Sequence, residues 1–189
     1  DANTINPKYP TWVRTDSLDH YAPITYVYSN NGDIKIAKTD GSIENVTTSS
    51  DIDEEPSIDR SGTKITFTRN GTNIFLAQKS SSGYEVHQVT DSTGHTSIQS
   101  SLSPDGNKIA FSSTNGPYDI FVSDTDGDNP VNLTDSSGYA EGVVWSPNGS
   151  KIAFSTNIDG GTPEIYTMNS DGYGRNRLTN NSAIDWHPA

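Results

Sequence analysis

The apolar residues of this chain come in short alternating bursts separated by Gly, Asn, Asp and Ser. Successive side chains of a strand point to opposite faces, so bursts bounded by turn formers predict many short β-strands joined by tight turns. The bursts also recur at a fixed spacing. Ser103-Pro104-Asp105-Gly106-Asn107-Lys108-Ile109-Ala110-Phe111 returns as Ser146-Pro147-Asn148-Gly149-Ser150-Lys151-Ile152-Ala153-Phe154, with 43 residues between Ile109 and Ile152. Asp59-Arg60-Ser61-Gly62-Thr63-Lys64-Ile65-Thr66-Phe67 holds the same frame 44 residues upstream, and Ile24-Thr25-Tyr26 holds it weakly 41 residues before that.

Each copy continues in the same way. A second strand is predicted at Asp33–Ile36, Asn73–Leu76, Asp119–Val122 and Glu164–Thr167. A turn follows in each case, at Thr39-Asp40-Gly41, Ser80-Ser81-Ser82-Gly83, Thr125-Asp126-Gly127 and Ser170-Asp171-Gly172. Asp-Gly accepts the positive φ angles of tight hairpins. A third strand ends in Val46-Thr47, Val89-Thr90, Leu133-Thr134 or Leu178-Thr179, and a last one covers Glu55–Ile58, Gln99–Leu102, Gly142–Trp145 and Ala183–Trp186. Four strands in about 43 residues is the arithmetic of a propeller blade, whose sheets stack radially around an axis. Strands between two blades have both faces covered, so Ile109 and Phe111 point one way and Ala110 the other. A β-sandwich is the alternative, but it does not require equal units.

The run from Trp145 to Thr179, WSPNGSKIAFSTN…EIYTMNSDG…RLT, resembles the TolB-type propeller repeat, also described as WD40-like or PD40. The resemblance covers residues 24–188. It is weaker at Asp59-Arg60-Ser61-Gly62, which lacks the proline, and at Tyr21-Ala22-Pro23. It implies an all-β propeller of four-stranded antiparallel blades that acts as a binding scaffold, or that sits beside a catalytic domain as in polysaccharide lyases and prolyl-oligopeptidase-like peptidases. It also implies that the "VVW" strand is innermost. The repeats then fall at about 24–59, 60–103, 104–146 and 147–189, after an N-terminal extension, 1–23, carrying a possible extra inner strand at Tyr9-Pro10-Thr11-Trp12. Two closures are open. Asp185-Trp186 could supply the inner strand of the first blade and close a ring of four, or Trp12 could fill that place and leave the tail to a larger or assembled propeller.

Composition narrows the function. A net charge of -12 opposes nucleic acid and anionic membrane, because the phosphate interaction is repulsive. No cysteine is present, which excludes disulfides and thiolate metal sites. No window reaches the roughly 18 apolar residues of a membrane helix, so no membrane insertion is expected. Richness in Ser, Thr and Asn with scarce Lys points to a secreted, periplasmic or cell-surface protein, and an Asp at position 1 suits a processed chain. The expected partner is another protein or a second copy, with a glycan as a further option on Tyr118, Tyr139 and Tyr173.

Catalytic signatures are missing from the sequence. There is no Gly-x-Ser-x-Gly elbow, no His-Glu-x-x-His and no phosphate-binding Gly-rich loop. His20 with Asp16 and Ser17 reads as surface loop, and His187 as a substitute for the corner Ser103 and Ser146. The chain is therefore expected to be no enzyme and to hold no cofactor. Asp124, Asp126 and Asp128, in Asp124-Thr125-Asp126-Gly127-Asp128-Asn129, are candidates for Ca2+ or another cation, although they coincide with a hairpin turn and lack a distant bidentate Glu. The remaining candidates lie where each outer strand returns to the axis: Asp53, Glu54, Glu55, His95, Gln99, Tyr139, Glu141 and Asp185. Carboxylates converging on a channel mouth focus a field that attracts a cation or a basic partner.

Overall fold

The computed structural model describes residues 8–14, 24–38, 40–91, 93–114, 117–134 and 138–188, and for 8–14 and 24–26 the backbone alone. Among these residues sixteen strands form four antiparallel four-stranded sheets, and no helix occurs. The first sheet orders β1 (Lys8–Arg14), β2 (Ile24–Asn30), β3 (Asp33–Ala37) and β4 (Ile43–Asn45). The second orders β5 (Asp53–Ile58), β6 (Lys64–Arg69), β7 (Asn73–Ser80) and β8 (Gly83–Gln88). The third is built from β9 (Ser97–Leu102), β10 (Lys108–Thr114), β11 (Tyr118–Asp124) and β12 (Val131–Asn132). The fourth holds β13 (Ala140–Trp145), β14 (Lys151–Thr156), β15 (Glu164–Asn169) and β16 (Asn176–Arg177). These are the blades of a β-propeller.

The core lies between blades, because each blade has two apolar faces and can bury neither alone. Ile34, Ile36 and Val46 of the first blade meet Ile58, Ile65 and Phe67 of the second. Ile74, Leu76 and Val89 then meet Leu102, Ile109 and Phe111. Ile120 and Ala110, with Val122 and Leu133, meet Ile152, Phe154, Tyr166 and Met168. Thus Ile109 and Phe111 do face one neighbour and Ala110 the other. Each fully buried Ile or Phe contributes about 1.5–3 kcal/mol, so three interfaces carry most of the stability. Cross-strand ring pairs repeat at one position, Phe67–Phe75 and Phe111–Phe121 at 5.9 Å and Phe154–Tyr166 at 6.1 Å.

The Val/Leu-Thr pair that ends each third strand has a physical role. The hydroxyls of Thr47, Thr90, Thr134 and Thr179 accept the N–H of Ile34, Ile74, Ile120 and Ile165, each at 2.9 Å. One donor per blade, beyond the end of its ladder, is thereby satisfied. At the opposite strand ends, Asp59, Ser103 and Ser146 accept the N–H of Lys64, Lys108 and Lys151.

Two expectations are corrected, and the open choice of inner strand for blade 1 is decided. First, the blade 1 frame sits two residues later: Tyr28 pairs Lys35 as Phe67 pairs Phe75, so Tyr26-Val27-Tyr28 is equivalent to Ile65-Thr66-Phe67. Second, β1 occupies the inner position of blade 1, with Trp12 opposite Tyr26, so Asp185-Trp186 does not close a ring of four there. Inner strands pack in chain order, β1 on β5, β5 on β9 and β9 on β13. Third, Ala183–Trp186 is not a strand; residues 180–188 run without regular structure along blade 4. The Asp16, Ser17 and His20 loop lies outside the described residues.

Candidate functional site

The inner strands are not regular. In β1, β5, β9 and β13 the register against the neighbouring strand slips once. At the slip Glu55, Gln99 and Gly142 take φ of 54°, 53° and 66°, and His187 in the last segment takes 53°. The four positions are 44, 43 and 45 residues apart. A bulge of this kind kinks the strand and re-aims one side chain. Here all four positions are brought to one cavity of about 150 Å³, with Pro56, Ser100, Val143 and Pro188 completing its wall. Gly142 belongs in this crowd, since a Cβ there would stand 3.4 Å from the His187 backbone at a φ that favours glycine.

Hydrogen bonds run from blade to blade through these residues. Glu55 Oε2 accepts the hydroxyl of Thr68 at 3.1 Å and the N–H of Gln99 at 3.2 Å. Gln99 Oε1 accepts the N–H of Gly142 at 3.0 Å, and its Nε2 lies 3.2 Å from His187 Nε2. Next to Gly142, the Glu141 carboxyl is buried and accepts the Tyr139 hydroxyl at 2.9 Å. Burial pushes the Glu141 pKa up and Glu55 adds to this, whereas the Tyr139 hydrogen bond and His187 in its charged form pull it down. Burial, then the Glu141 bond, raises the Tyr139 phenol to about 12. The Tyr139 ring meets Tyr118 edge-on at 5.4 Å and Trp186 at 5.9 Å.

The predicted site residues therefore separate. Glu55, Gln99, Tyr139 and Glu141 come together. Glu54 lies half-buried on β5 beside them, and His95 is half-buried in the segment leading into β9. Asp185 is held away from the cavity, its carboxylate on the Asn181 amide and its N–H on the Pro163 carbonyl. Asp53 is corrected: it is 0% exposed and forms a bidentate pair with Arg69 at 2.7 and 2.9 Å, so it cannot meet a partner. That guanidinium also lies 4.5 Å from the Phe75 ring centre, which marks a packed structural pair. The cation loop is corrected too. Asp124 is engaged by Lys108 and Asn129, Asp126 accepts the Asp128 N–H, and no group of three His, Asp or Glu among the described residues could hold a metal ion.

His187 stands at the bulge and not at the expected corner, four residues earlier in the repeat frame than Ser103 and Ser146. The signal for this is the shared proline of Glu55-Pro56 and His187-Pro188. Ser100 carries no sequence signal. Of the tyrosines suited to a glycan, Tyr118 and Tyr139 touch, while Tyr173 is on the β15–β16 turn at the other end of blade 4. A larger cavity of about 810 Å³ lies at the corner turns between blades 3 and 4, lined by Pro104, Leu133, Trp145 and Pro147 among others, and none of the predicted binding residues faces it.

Comparisons agree with this architecture. The chain is 43% identical over 49 residues to the Tol-Pal system protein TolB of Anaeromyxobacter sp. (strain K), a match covering 26% of this chain and 11% of that protein. Among solved structures it superposes on a putative TolB from Agrobacterium tumefaciens with a TM-score of 0.77 at 22% identity, over 98% of this chain and 66% of that one. It superposes on TolB from Acinetobacter baumannii at 0.70 and 22%, over 93% and 44%. An oligogalacturonate lyase in complex with manganese shares the fold at 0.62 and 13%, over 82% and 50%. The chain thus spans only part of these relatives. The family model described as the TolB beta propeller domain, PD40, matches residues 65–189, and the chain belongs to that family.

Proposed function

We propose that this chain is a non-catalytic propeller that works outside the cytoplasm by binding a protein partner or a second copy of itself, on the face where its inner strands begin. The observation that carries the reading is the convergence of Glu55, Gln99, Gly142 and His187 from four successive inner segments on one cavity, with the buried Glu141 carboxyl and the Tyr118, Tyr139 and Trp186 rings beside it. Buried acids flanked by partly exposed aromatic rings suit a partner that presents positive charge and apolar surface together. The name of the Anaeromyxobacter relative, a Tol-Pal system protein, supports an assembly role. The Ser-, Thr- and Asn-rich composition without cysteine supports the extracytoplasmic location.

The test is affinity capture from the extracytoplasmic fraction of the producing cell, comparing the natural chain with Glu54→Gln/Glu55→Gln/Glu141→Gln. Loss of the captured partner from the variant, with its unfolding midpoint unchanged or raised, is the expected outcome. Equal capture by both chains removes the reading.

A further inference from the structure

At the corner turns, blades 3 and 4 do not close as blades 2 and 3 do. Val122, Leu133 and Trp145 stand in the later interface where Leu76, Val89 and Leu102 stand in the earlier one. The earlier three are buried, whereas the later three are only half-buried. A Cβ at Gly127, on the outer turn of blade 3, would collide with the Val89 carbonyl. One at Gly172, on the same turn of blade 4, would stand 3.2 Å from the Leu133 carbonyl oxygen. Blade 4 thus lies further off its neighbour, Val122 is smaller than Leu76, and a cavity of about 810 Å³ remains. A cleft of this size with an apolar floor and a few polar groups at its rim is the usual form of a small-ligand site.

The lining says which ligand. Trp145 Nε1–H donates to the Ser101 carbonyl at 3.1 Å, so the indole is fixed and offers the cavity ring surface but no donor. That disfavours a proline-rich peptide, whose bare carbonyls need donors from the groove. The charges are already engaged: Lys108 pairs with Asp124 at 2.6 Å, both Asp105 oxygens accept from Asn107, and Arg60 also has a partner. What the rim still presents comes from blade 4. Asn148 Nδ2 is a donor, since its Oδ1 takes the Ser146 and Ser150 hydroxyls; Asp171 Oδ2 is an acceptor, since its Oδ1 takes the Tyr173 N–H; and the Ser170 hydroxyl is both. An aromatic floor under a donor, an acceptor and a hydroxyl matches a pyranose, which has a C–H face and hydroxyls that donate and accept. Tyr173, 76% exposed two residues from Asp171, adds a second ring beside the cavity. A net charge of -12 opposes an anionic sugar. We propose that the cleft between blades 3 and 4 binds a neutral saccharide, with one pyranose on Trp145 and its hydroxyls on Asn148, Ser170 and Asp171. This site goes beyond the protein-binding reading and lies at the other end of the blades.

The test is titration of the 15N-labelled chain with cellobiose, maltose and diacetylchitobiose, with digalacturonate as the anionic control and N-acetyl-Pro-Leu-Pro amide as the apolar peptide control. The expected result is a shift of the Trp145 indole N–H and of the Leu133, Ser170 and Asp171 amides with at least one neutral disaccharide, and none with either control. Asp171→Ala should weaken that sugar about tenfold and Ser170→Ala about threefold, in line with charge-assisted and neutral hydrogen bonds. Trp145→Leu, which places the residue of the sealed interface here, should abolish the shifts. No shift with any of the three sugars, equal shifts with digalacturonate, shifts with the peptide in place of the sugars, or unchanged affinity in Asp171→Ala would overturn the proposal.

Discussion

Asp53 and Glu141 show how burial assigns opposite fates to two carboxylates of one rim. Asp53 is fixed by both nitrogens of the Arg69 fork. Replacing it with Ala would leave the half-buried guanidinium only the more distant Asp51 carboxylate, at 3.6 Å, and urea unfolding should show a loss of about 3 kcal/mol. Glu141 is held instead in a site that disfavours its charge. A carboxyl whose folded pKa is raised supports the fold while protonated and loses that support as pH rises through the raised value. Glu164 has the opposite sign: Thr179 first, then the Asn181 N–H and Arg177, hold it below its ordinary 4.5. Its contribution is present above that ordinary value and disappears as pH falls through the lowered one. Stability curves should therefore show Glu141→Gln gaining over the natural chain at neutral pH and converging with it in acid, whereas Glu164→Gln loses at neutral pH and converges in acid.

At the scale of elements, the third-strand threonines link a sequence signature to a backbone requirement. Thr47 is 4% exposed and its hydroxyl satisfies the N–H of the fully buried Ile34. Thr47→Val keeps shape and volume but leaves that donor bare, which should lower the unfolding free energy by about 1–3 kcal/mol, whereas Thr47→Ser should retain most of it. The strands themselves are legible in the sequence because their faces alternate and the alternation recurs every 43 or 44 residues. The blade 1 frame is not, because the likeness of Ile-Thr-Tyr to Ile-Thr-Phe points two residues too early and only the Tyr28–Lys35 register settles it. The inner-strand bulge is nearly invisible to pattern reading, since a following proline marks only Glu55 and His187 of its four positions. It places Glu, Gln, Gly and His at equivalent positions, and what they share is a backbone angle rather than a residue type. Hence the acids of the rim can be named from the sequence, but the pocket they help to form cannot.

In the whole molecule, the value of a residue depends on whether another blade covers it. Val89 and Leu178 hold the same place in the repeat, yet Val89 is 8% exposed under blade 3 and Leu178 is 58% exposed on the far face of blade 4. Val89→Asp should therefore bury a charge between two blades and prevent stable folding, while Leu178→Asp should shift stability by no more than about 0.5 kcal/mol. Comparison of the two unfolding midpoints checks that blade contacts, not repeat position, set the core. The same radial stacking gives the molecule two unlike ends: corner turns at one, and the bulges with their acids and rings at the other. The most direct measurement of the binding claim uses a photo-crosslinking amino acid at Gln99 and, separately, at Asn148 on the corner turns. The account predicts that the partner is crosslinked from position 99 and not from 148. Crosslinking from 148 alone would contradict it.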